Sequence, residues 1–218
     1  MEVLDIYKDI ANTIDYTHKI SRTPESFEFH IHDRFEIYFF ISGNVKYFIE
    51  KEVYPLKYGD LLLMNSNEIH KPFFLSYSDY ERIVIHFDPA IARLFSSEHF
   101  DLLKCFTDRP KGEYNRISLN AAQVSEIMKM FKKIDNAAKN LYDGSEIIKL
   151  TGFIELLVYI NRIFLDRQHV TEISNMPEEL VPVFVYINNN LSGDLSLKSL
   201  EHKFYMNRFY LSRLFKRS

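Results

Sequence analysis

Hydrophobic and polar positions change period twice along this chain. Between Tyr16 and Phe87 the apolar residues fall in short runs, YFFI from Tyr38, VKYFIE from Val45, DLLLM from Asp60 and RIVIHF from Arg82. Ser42-Gly43-Asn44, Lys57-Tyr58-Gly59-Asp60 and Asn65-Ser66-Asn67-Glu68 interrupt them. Short strands with turn signals at this spacing predict an antiparallel sandwich or barrel. Beyond Pro89 the period becomes helical. Asn120 followed by Gln123 predicts a capping box, and Val124, Ile127, Met128, Phe131, Ile134, Ala138 and Leu141 recur at three and four to form one face. A second helix is expected over 145–166, with a polar strip of only Lys149, Glu155, Arg162 and Asp166. A helix this apolar must be covered on more than one side, which predicts a helical hairpin that either pairs two chains or packs within its own domain.

The period is lost over 167–177, which ends in Pro177 and predicts a linker. Three short helices are expected after it: 178–191 with Pro182 near its start, 197–204, and 208–217 capped by Asn207. Residues 1–14, with Val3, Leu4, Ile6, Tyr7, Ile10 and Ile14, predict a short helix or an irregular arm. Strands first and helices afterwards make the fold class α+β. The division expected is a β domain over 1–115, a hairpin over 116–168, a linker over 169–177 and a last helical domain over 178–218.

Composition narrows this picture. Of the 218 residues 46% are hydrophobic, ample for a buried core. No apolar run is long enough to span a membrane, and the acidic start MEVLDIYKDI is not a signal peptide, so a cytoplasmic protein without a membrane partner is expected. Cys105 is the only cysteine, which excludes an internal disulfide and a thiolate-rich zinc site and leaves it as a core or surface residue. The net charge of −3 is unevenly spread: from Ser196 onward Lys198, Lys203, Arg208, Arg213, Lys216 and Arg217 face Glu201 alone, a local balance of +5. Such a basic end suits either a polyanion or a solvated helical face.

The chemistry concentrates in HIHDRFEIYFFISG, from His30 to Gly43. Residues two apart on a strand share a face, so His30 and His32 can converge, with Glu36 joining after a short irregularity. Two imidazoles and a carboxylate make either a metal site or the wall of a polar pocket. His86 alternates with Val84 and Arg82, and the face it takes depends on strand register.

His30, His32, Glu36 and Gly43 fit the spacing HxHx3Ex6G, which resembles the first motif of the cupin superfamily. Gly59 to His70 resembles the second, Gx5PxGx2H, in part: Gly59 and His70 keep register, whereas Asn65 and Asn67 stand in place of Pro and Gly, and Phe74 in place of a final Asn. Asn-Ser-Asn can still make the turn. The resemblance implies a cupin-like antiparallel β-barrel, and a three-histidine, one-carboxylate set of His30, His32, Glu36 and His70 for iron, manganese, zinc or nickel. The same residues can instead bond one another or an organic ligand in a metal-free pocket.

The run from Asp194 to Ser218, DLSLKSLEHKFYMNRFYLSRLFKRS, resembles the first helix-turn-helix of the AraC family of bacterial transcription regulators. Leu197, Leu200, Phe204, Tyr205, Leu211, Ser212, Leu214, Phe215 and Lys216 fall on that family's packing and recognition pattern. Glu201 departs from it, standing where the family has alanine between the helices, and is expected to loosen the pair or turn outward. The order of sensor, hairpin, linker and helix-turn-helix is also this family's, which implies a cupin-like sensor or ligand-binding domain over 1–115 and a dimerising hairpin over 116–168. Because the sequence ends inside what would be the recognition helix, the chain is expected to carry only part of the DNA-binding module.

The resemblance implies a ligand-responsive, DNA-binding homodimer rather than an enzyme. Its effector would be a small molecule, commonly a sugar or similar polyol, met by His30, His32, Glu36, Tyr38 and His70, and its other partner operator DNA. By helical spacing Phe209, Ser212 and Arg213 share the face open to bases, with Arg208, Lys216 and Arg217 placed for phosphate, while Tyr210, Leu211, Leu214 and Phe215 pack inward. The alternative is a metal-dependent cupin enzyme such as a dioxygenase or sugar isomerase. A third reading is a dimerising interaction domain without a ligand, which a barrel filled by Phe and Tyr side chains would favour.

Overall fold

The computed structural model describes residues 13–22, 27–140, 142–175, 179–180, 182–183, 186–187, 190 and 193–216, with side chains of 168–175 left aside. They divide into two compact units, Met1–Phe164 and Leu165–Ser218. The expected arm over 1–14 and most of the helix expected over 178–191 lie outside the described residues.

Among its described residues the first unit holds eight strands, β1 (Ile14–Ser21), β2 (Phe35–Ser42), β3 (Val45–Ile49), β4 (Glu52–Pro55), β5 (Asp60–Met64), β6 (His70–Phe74), β7 (Tyr80–Phe87) and β8 (Arg116–Ser118). They form a five-stranded sheet in the order β1-β7-β2-β5-β8 and a three-stranded sheet in the order β4-β3-β6. Every pairing is antiparallel. The helices of this unit are α1 (Pro89–Phe95), α2 (Lys104–Thr107), α3 (Ala121–Lys139) and α4 (Ser145–Asn175), the last running on across the division between the units.

β2 explains why its sequence is apolar without alternation. Phe35, Ile37 and Phe39 point to the helices, where Phe35 meets Phe106 at 5.3 Å and Phe39 meets Phe131 at 5.5 Å between ring centroids. On the other face Tyr38 and Phe40 enter the space between the sheets, packing with Val45, Tyr47, Ile49, Leu62, Met64 and Tyr80. Both faces are buried, so the strand reads as a continuous run. Gly59 makes the turn into β5 at φ +86, and a Cβ there would stand 2.8 Å from Val124 Cγ2, so α3 can lie against the turn only above a glycine.

The Asn65-Ser66-Asn67 turn forms as expected: Asn67 N donates to Asn65 Oδ1 (2.9 Å) and Glu68 N to Asn65 O (3.3 Å). Directly after it lies a feature that the sequence did not announce. Glu68, fully buried, accepts both guanidinium arms of Arg109 (2.6 and 2.8 Å), together with Gly112 N (2.8 Å), Asn115 Nδ2 (3.0 Å) and Asn65 N (3.0 Å). Arg109 also donates to Leu63 O at 2.9 Å, so the pair fastens the 109–115 segment to the edge of β5. Burial pushes the Glu68 carboxyl up, but Arg109 and the surrounding N–H donors hold it below the usual carboxylate range.

The capping box of α3 is present, with Gln123 N donating to Asn120 Oδ1 and Asn120 N to Gln123 Oε1, both at 2.9 Å. Its buried face uses Met130 and Ala137 where the spacing predicted Met128 and Ala138, because the helix packs on the sheet along the adjoining i+3 and i+4 rows. α3 and α4 form the hairpin, tied by Lys133 Nζ to Glu155 Oε2 at 2.8 Å. Buried Asn161 on α4 accepts from Cys105 N (3.0 Å) and donates to Leu102 O (2.8 Å), so its amide pins α2. Cys105 is a core residue, and burial pushes its thiol up, away from reactivity.

Two boundaries differ from expectation. The sheet extends to Ser118, past the boundary expected at 115, because Arg116–Ser118 adds a short edge strand against β5. α4 continues to Asn175 through most of the expected linker, since 167–175 contains no Pro or Gly and loss of amphipathic period does not itself break a helix. No helix among the described residues is long and apolar enough to cross a membrane.

In the second unit, α5 (Leu197–Phe204) and α6 (Arg208–Phe215) are joined through Tyr205 in the left-handed conformation at φ +53. Leu200, Leu211 and Leu214 pack with Leu180 and Val183. Asn207 caps α6, accepting from Phe209 N at 2.9 Å.

Removing either side of the Glu68–Arg109 pair would strand a buried charge. Arg109→Met is expected to lower stability by about 3–5 kcal/mol in urea unfolding. Because the folded-state value of Glu68 is depressed, its contribution is present above the ordinary carboxylate range and is lost as pH falls through the lowered value.

Candidate functional site

His30 and His32 lie on the irregular segment Phe27–Arg34 that leads into β2, and His30 bridges to His70 through reciprocal backbone hydrogen bonds of 3.1 and 3.0 Å. Glu36 stands on β2, His70 begins β6, and His86 stands on β7 directly opposite Glu36 in register. Strand pairing therefore brings groups from three distant points of the chain, 30–36, 70 and 86, to one end of the barrel.

Three of the imidazoles are oriented alike. His30 Nδ1 contacts Glu28 O (3.2 Å), His32 Nδ1 contacts Arg34 O (2.8 Å) and His70 Nδ1 contacts Glu68 O (2.8 Å). A carbonyl oxygen only accepts, so each Nδ1 carries hydrogen and, in the neutral ring, each Nε2 presents a lone pair. Those of His32 and His70 face Glu36 Oε2 at 3.1 and 3.3 Å, and His86 Nε2 stands 3.2 Å from the same oxygen. The His70 contact is off the hydrogen-bond direction, leaving a buried ring nitrogen without a hydrogen-bond partner.

Lone pairs facing a carboxylate oxygen repel unless a proton or a cation lies among them. Glu36 is 3% exposed. Burial pushes its carboxyl up, but the contacts from His32, His70 and His86 together hold it well below the usual range. In return the Glu36 hydrogen bond raises His32 above the ordinary imidazole value against its burial, whereas burial lowers His30. The site is thus an anionic point inside a ring of neutral or protonated imidazoles and selects for positive charge.

The donor set also fits a metal ion. Ligand nitrogens of His30, His32 and His70 lie within 4.8 Å of one another, as do the ligand atoms of His32, Glu36 and His86. Imidazole and carboxylate suit divalent iron, manganese, zinc and nickel, and an Nδ1–H held by a carbonyl is the usual arrangement around a metal-bound histidine.

Of the residues expected at the site, His30, His32, Glu36 and His70 come together. Tyr38 faces the same interior and is as buried as Glu36, with its hydroxyl 2.6 Å from that of Tyr80. Tyr38, Phe40, Tyr47 and Tyr80 are each buried and fill the space beneath the cluster. His86 is the member whose side the sequence left open. Its strand parity relative to Glu36 was the signal, and only the β2–β7 register decides it.

At the other candidate surface, Arg208, Phe209, Arg213 and Lys216 are exposed and Ser212 is half-buried, while Leu211 and Leu214 are buried and Tyr210 and Phe215 half-buried. Glu201 is half-buried, and at an exposed position its carboxylate accepts from Arg208 N, the first residue of α6, at 3.2 Å.

The family model of the AraC-like ligand-binding domain matches residues 18–147, which span the barrel and α3 and reach the start of α4. The chain belongs to this family. No curated protein matches the AraC-like chain. Among solved structures it is similar to the plu4264 protein from Photorhabdus luminescens, at 26% identity over 35% of this chain and 63% of that one, with a TM-score of 0.32. It is similar to a predicted oxalate decarboxylase from Thermotoga maritima at 22% identity over 37% of this chain and 71% of that one, TM-score 0.33. Apo ToxT from Vibrio cholerae is similar at 10% identity over 94% of this chain and 75% of that one, TM-score 0.47.

In metal-free protein the cluster should stabilise the fold most between about pH 4.3 and 6.5. The depressed Glu36 value makes its contribution present above the lower limit, and the raised His32 value makes its own present below the upper one. Glu36→Gln is expected to bring His32 down toward the ordinary imidazole value in an NMR titration and to flatten this maximum.

Proposed function

We propose that this AraC-like chain is a ligand-responsive transcriptional regulator and not an enzyme, whose sensor reads a divalent metal ion at the His30, His32, Glu36 and His70 cluster. The observation that carries the reading is the convergence of imidazole Nε2 atoms on buried Glu36, with each of three Nδ1 atoms already committed to a carbonyl. A bound ion would supply the positive charge that this carboxylate and these lone pairs call for. A sugar effector has less support, because Tyr38, Phe40, Tyr47 and Tyr80 occupy the interior that a polyol would need. Ligation would draw the Phe27–Arg34 segment to the barrel wall and favour one population of the chain over another.

In this proposal residues 1–115 sense, 116–168 dimerise, the stretch near 169–177 connects, and 178–218 serve DNA binding in a cytoplasmic homodimer. Exposed Ile147 and Ile148 on α4 support pairing through the hairpin. Phe209, 72% exposed, and exposed Arg213 would meet bases with Ser212 beside them, and exposed Arg208 and Lys216 would meet phosphate; Arg217, assigned to phosphate with them, lies outside the described residues. The tyrosine-filled interior favours one other reading, an interaction domain that takes no ligand.

Selection of duplexes from a random pool by the full chain, with and without added metal, tests the regulator. Weak retention of duplexes that depends on the ion, with little sequence preference, is expected, and Arg213→Ala should weaken it further. Retention that the ion leaves unchanged would exclude the metal-responsive regulator. Elemental analysis of the purified chain tests the ion separately: about one per chain is expected, lost in His32→Ala and His70→Ala.

A further inference from the structure

We infer that the barrel binds a small organic carboxylate away from the histidine cluster, received by Arg82 on β7 and Lys19 on β1. The inference is independent of the metal reading. Arg82 stands four residues before His86 on the same face of β7, about 13 Å along the strand from the cluster. It is 8% exposed. Its Nη1 donates to Ser21 Oγ at 2.7 Å, and its guanidinium lies over the Tyr80 ring, 4.2 Å from the centroid. Neither partner carries negative charge, and Arg82 forms no salt bridge among the described residues. The neighbouring acid, Glu81, projects from the opposite face of β7 and is met by His18 at 2.7 Å.

A buried guanidinium without a counter-ion is costly, and the strand pairing adds to the cost. Lys19 stands directly opposite Arg82 in the β1–β7 register, so two cations share one face of adjacent strands. Like charges so placed repel unless an anion lies between them. Tyr80 covers a flat side of the guanidinium and Ser21 takes one of its five N–H donors, which leaves donors in the plane for both oxygens of a carboxylate. Access is open. β1 is the edge strand of its sheet among the described residues, and Lys19 and Ile20 on it are exposed. Tyr80 also meets half-buried Phe74 at 4.9 Å between centroids, and Phe74 meets half-buried Phe27 at 5.9 Å. This row of rings suits an apolar body behind the carboxylate, which a bare inorganic anion would leave unused.

Titration of the full chain with sodium benzoate at constant ionic strength, followed by NMR at the Arg82 Nε–H and the Ser21 amide, tests the site. A saturable shift of both signals is expected, and benzyl alcohol, which has the ring without the charge, should give none. Inorganic phosphate, which has the charge without the ring, should bind at least about tenfold more weakly than benzoate. Arg82→Lys keeps the charge but loses the planar fork, and should lower benzoate affinity at least about tenfold at the Ser21 amide. Lys19→Gln alters only an exposed side chain, so it should fold as the wild type does and weaken benzoate about twofold to fivefold. No saturable shift with benzoate, an equal shift with benzyl alcohol, phosphate binding as tight as benzoate, or unchanged affinity in both variants would each overturn the inference while leaving the metal reading intact.

Discussion

A carboxylate almost sealed inside a barrel of tyrosines cannot stay ionised unless positive charge is brought to it, and Glu36 sets that condition for everything around it. The fold meets the condition with imidazoles, not with arginine or lysine. Arginine would neutralise Glu36 permanently. Imidazoles do so only when protonated or when a cation lies among them, so the same four elements that hold the cluster together also leave its charge open to outside conditions. A barrel built only for stability would not place its central acid among such partners.

The second buried carboxylate of this unit shows the contrast. Glu68 is met by the bidentate guanidinium of Arg109 and by backbone and amide donors, a set whose charge does not vary over the physiological range. Its role is mechanical. It also bears on the site, because the carbonyl of Glu68 accepts from His70 Nδ1 and so fixes which nitrogen of His70 faces Glu36. The fixed pair thus orients a member of the variable cluster. The chain separates the two tasks between acids on either side of the same turn and strand.

The barrel and four of the five cluster residues were legible because strand period, turn residues and the His30, His32, Glu36 spacing are local properties. Gly59 was legible for the same reason: the turn and the close approach of Val124 both exclude a side chain. What the sequence withheld was set by register and by distance along the chain. His86 depends on which residue of β7 faces Glu36, and a slip of one position would have sent it to the helices. The Glu68–Arg109 pair joins residues with no shared motif. Tyr38 had the correct parity for a pocket wall, but parity does not reveal that Tyr80 already occupies its hydroxyl. The continuation of α4 was missed because a helix can outlast its amphipathic pattern wherever no residue forbids it.

Glu201 carries the same lesson into the second unit. At a position read as alanine in the resembling motif, a carboxylate seemed bound to disturb the packing of α5 on α6. Its reach is instead long enough to leave the Leu200, Leu211 and Leu214 contact apolar and to place its oxygen on the amide that opens α6. The N-terminus of a helix carries unpaired donors and partial positive charge, so this is where an acid costs least and stabilises most. Together with the Asn207 cap it satisfies two successive amides, Arg208 N and Phe209 N. The exposed face of Phe209, Arg213 and Lys216 therefore projects from a helix whose start is fixed on both sides. An apparent defect in the motif is, by its geometry, part of what holds that face in place.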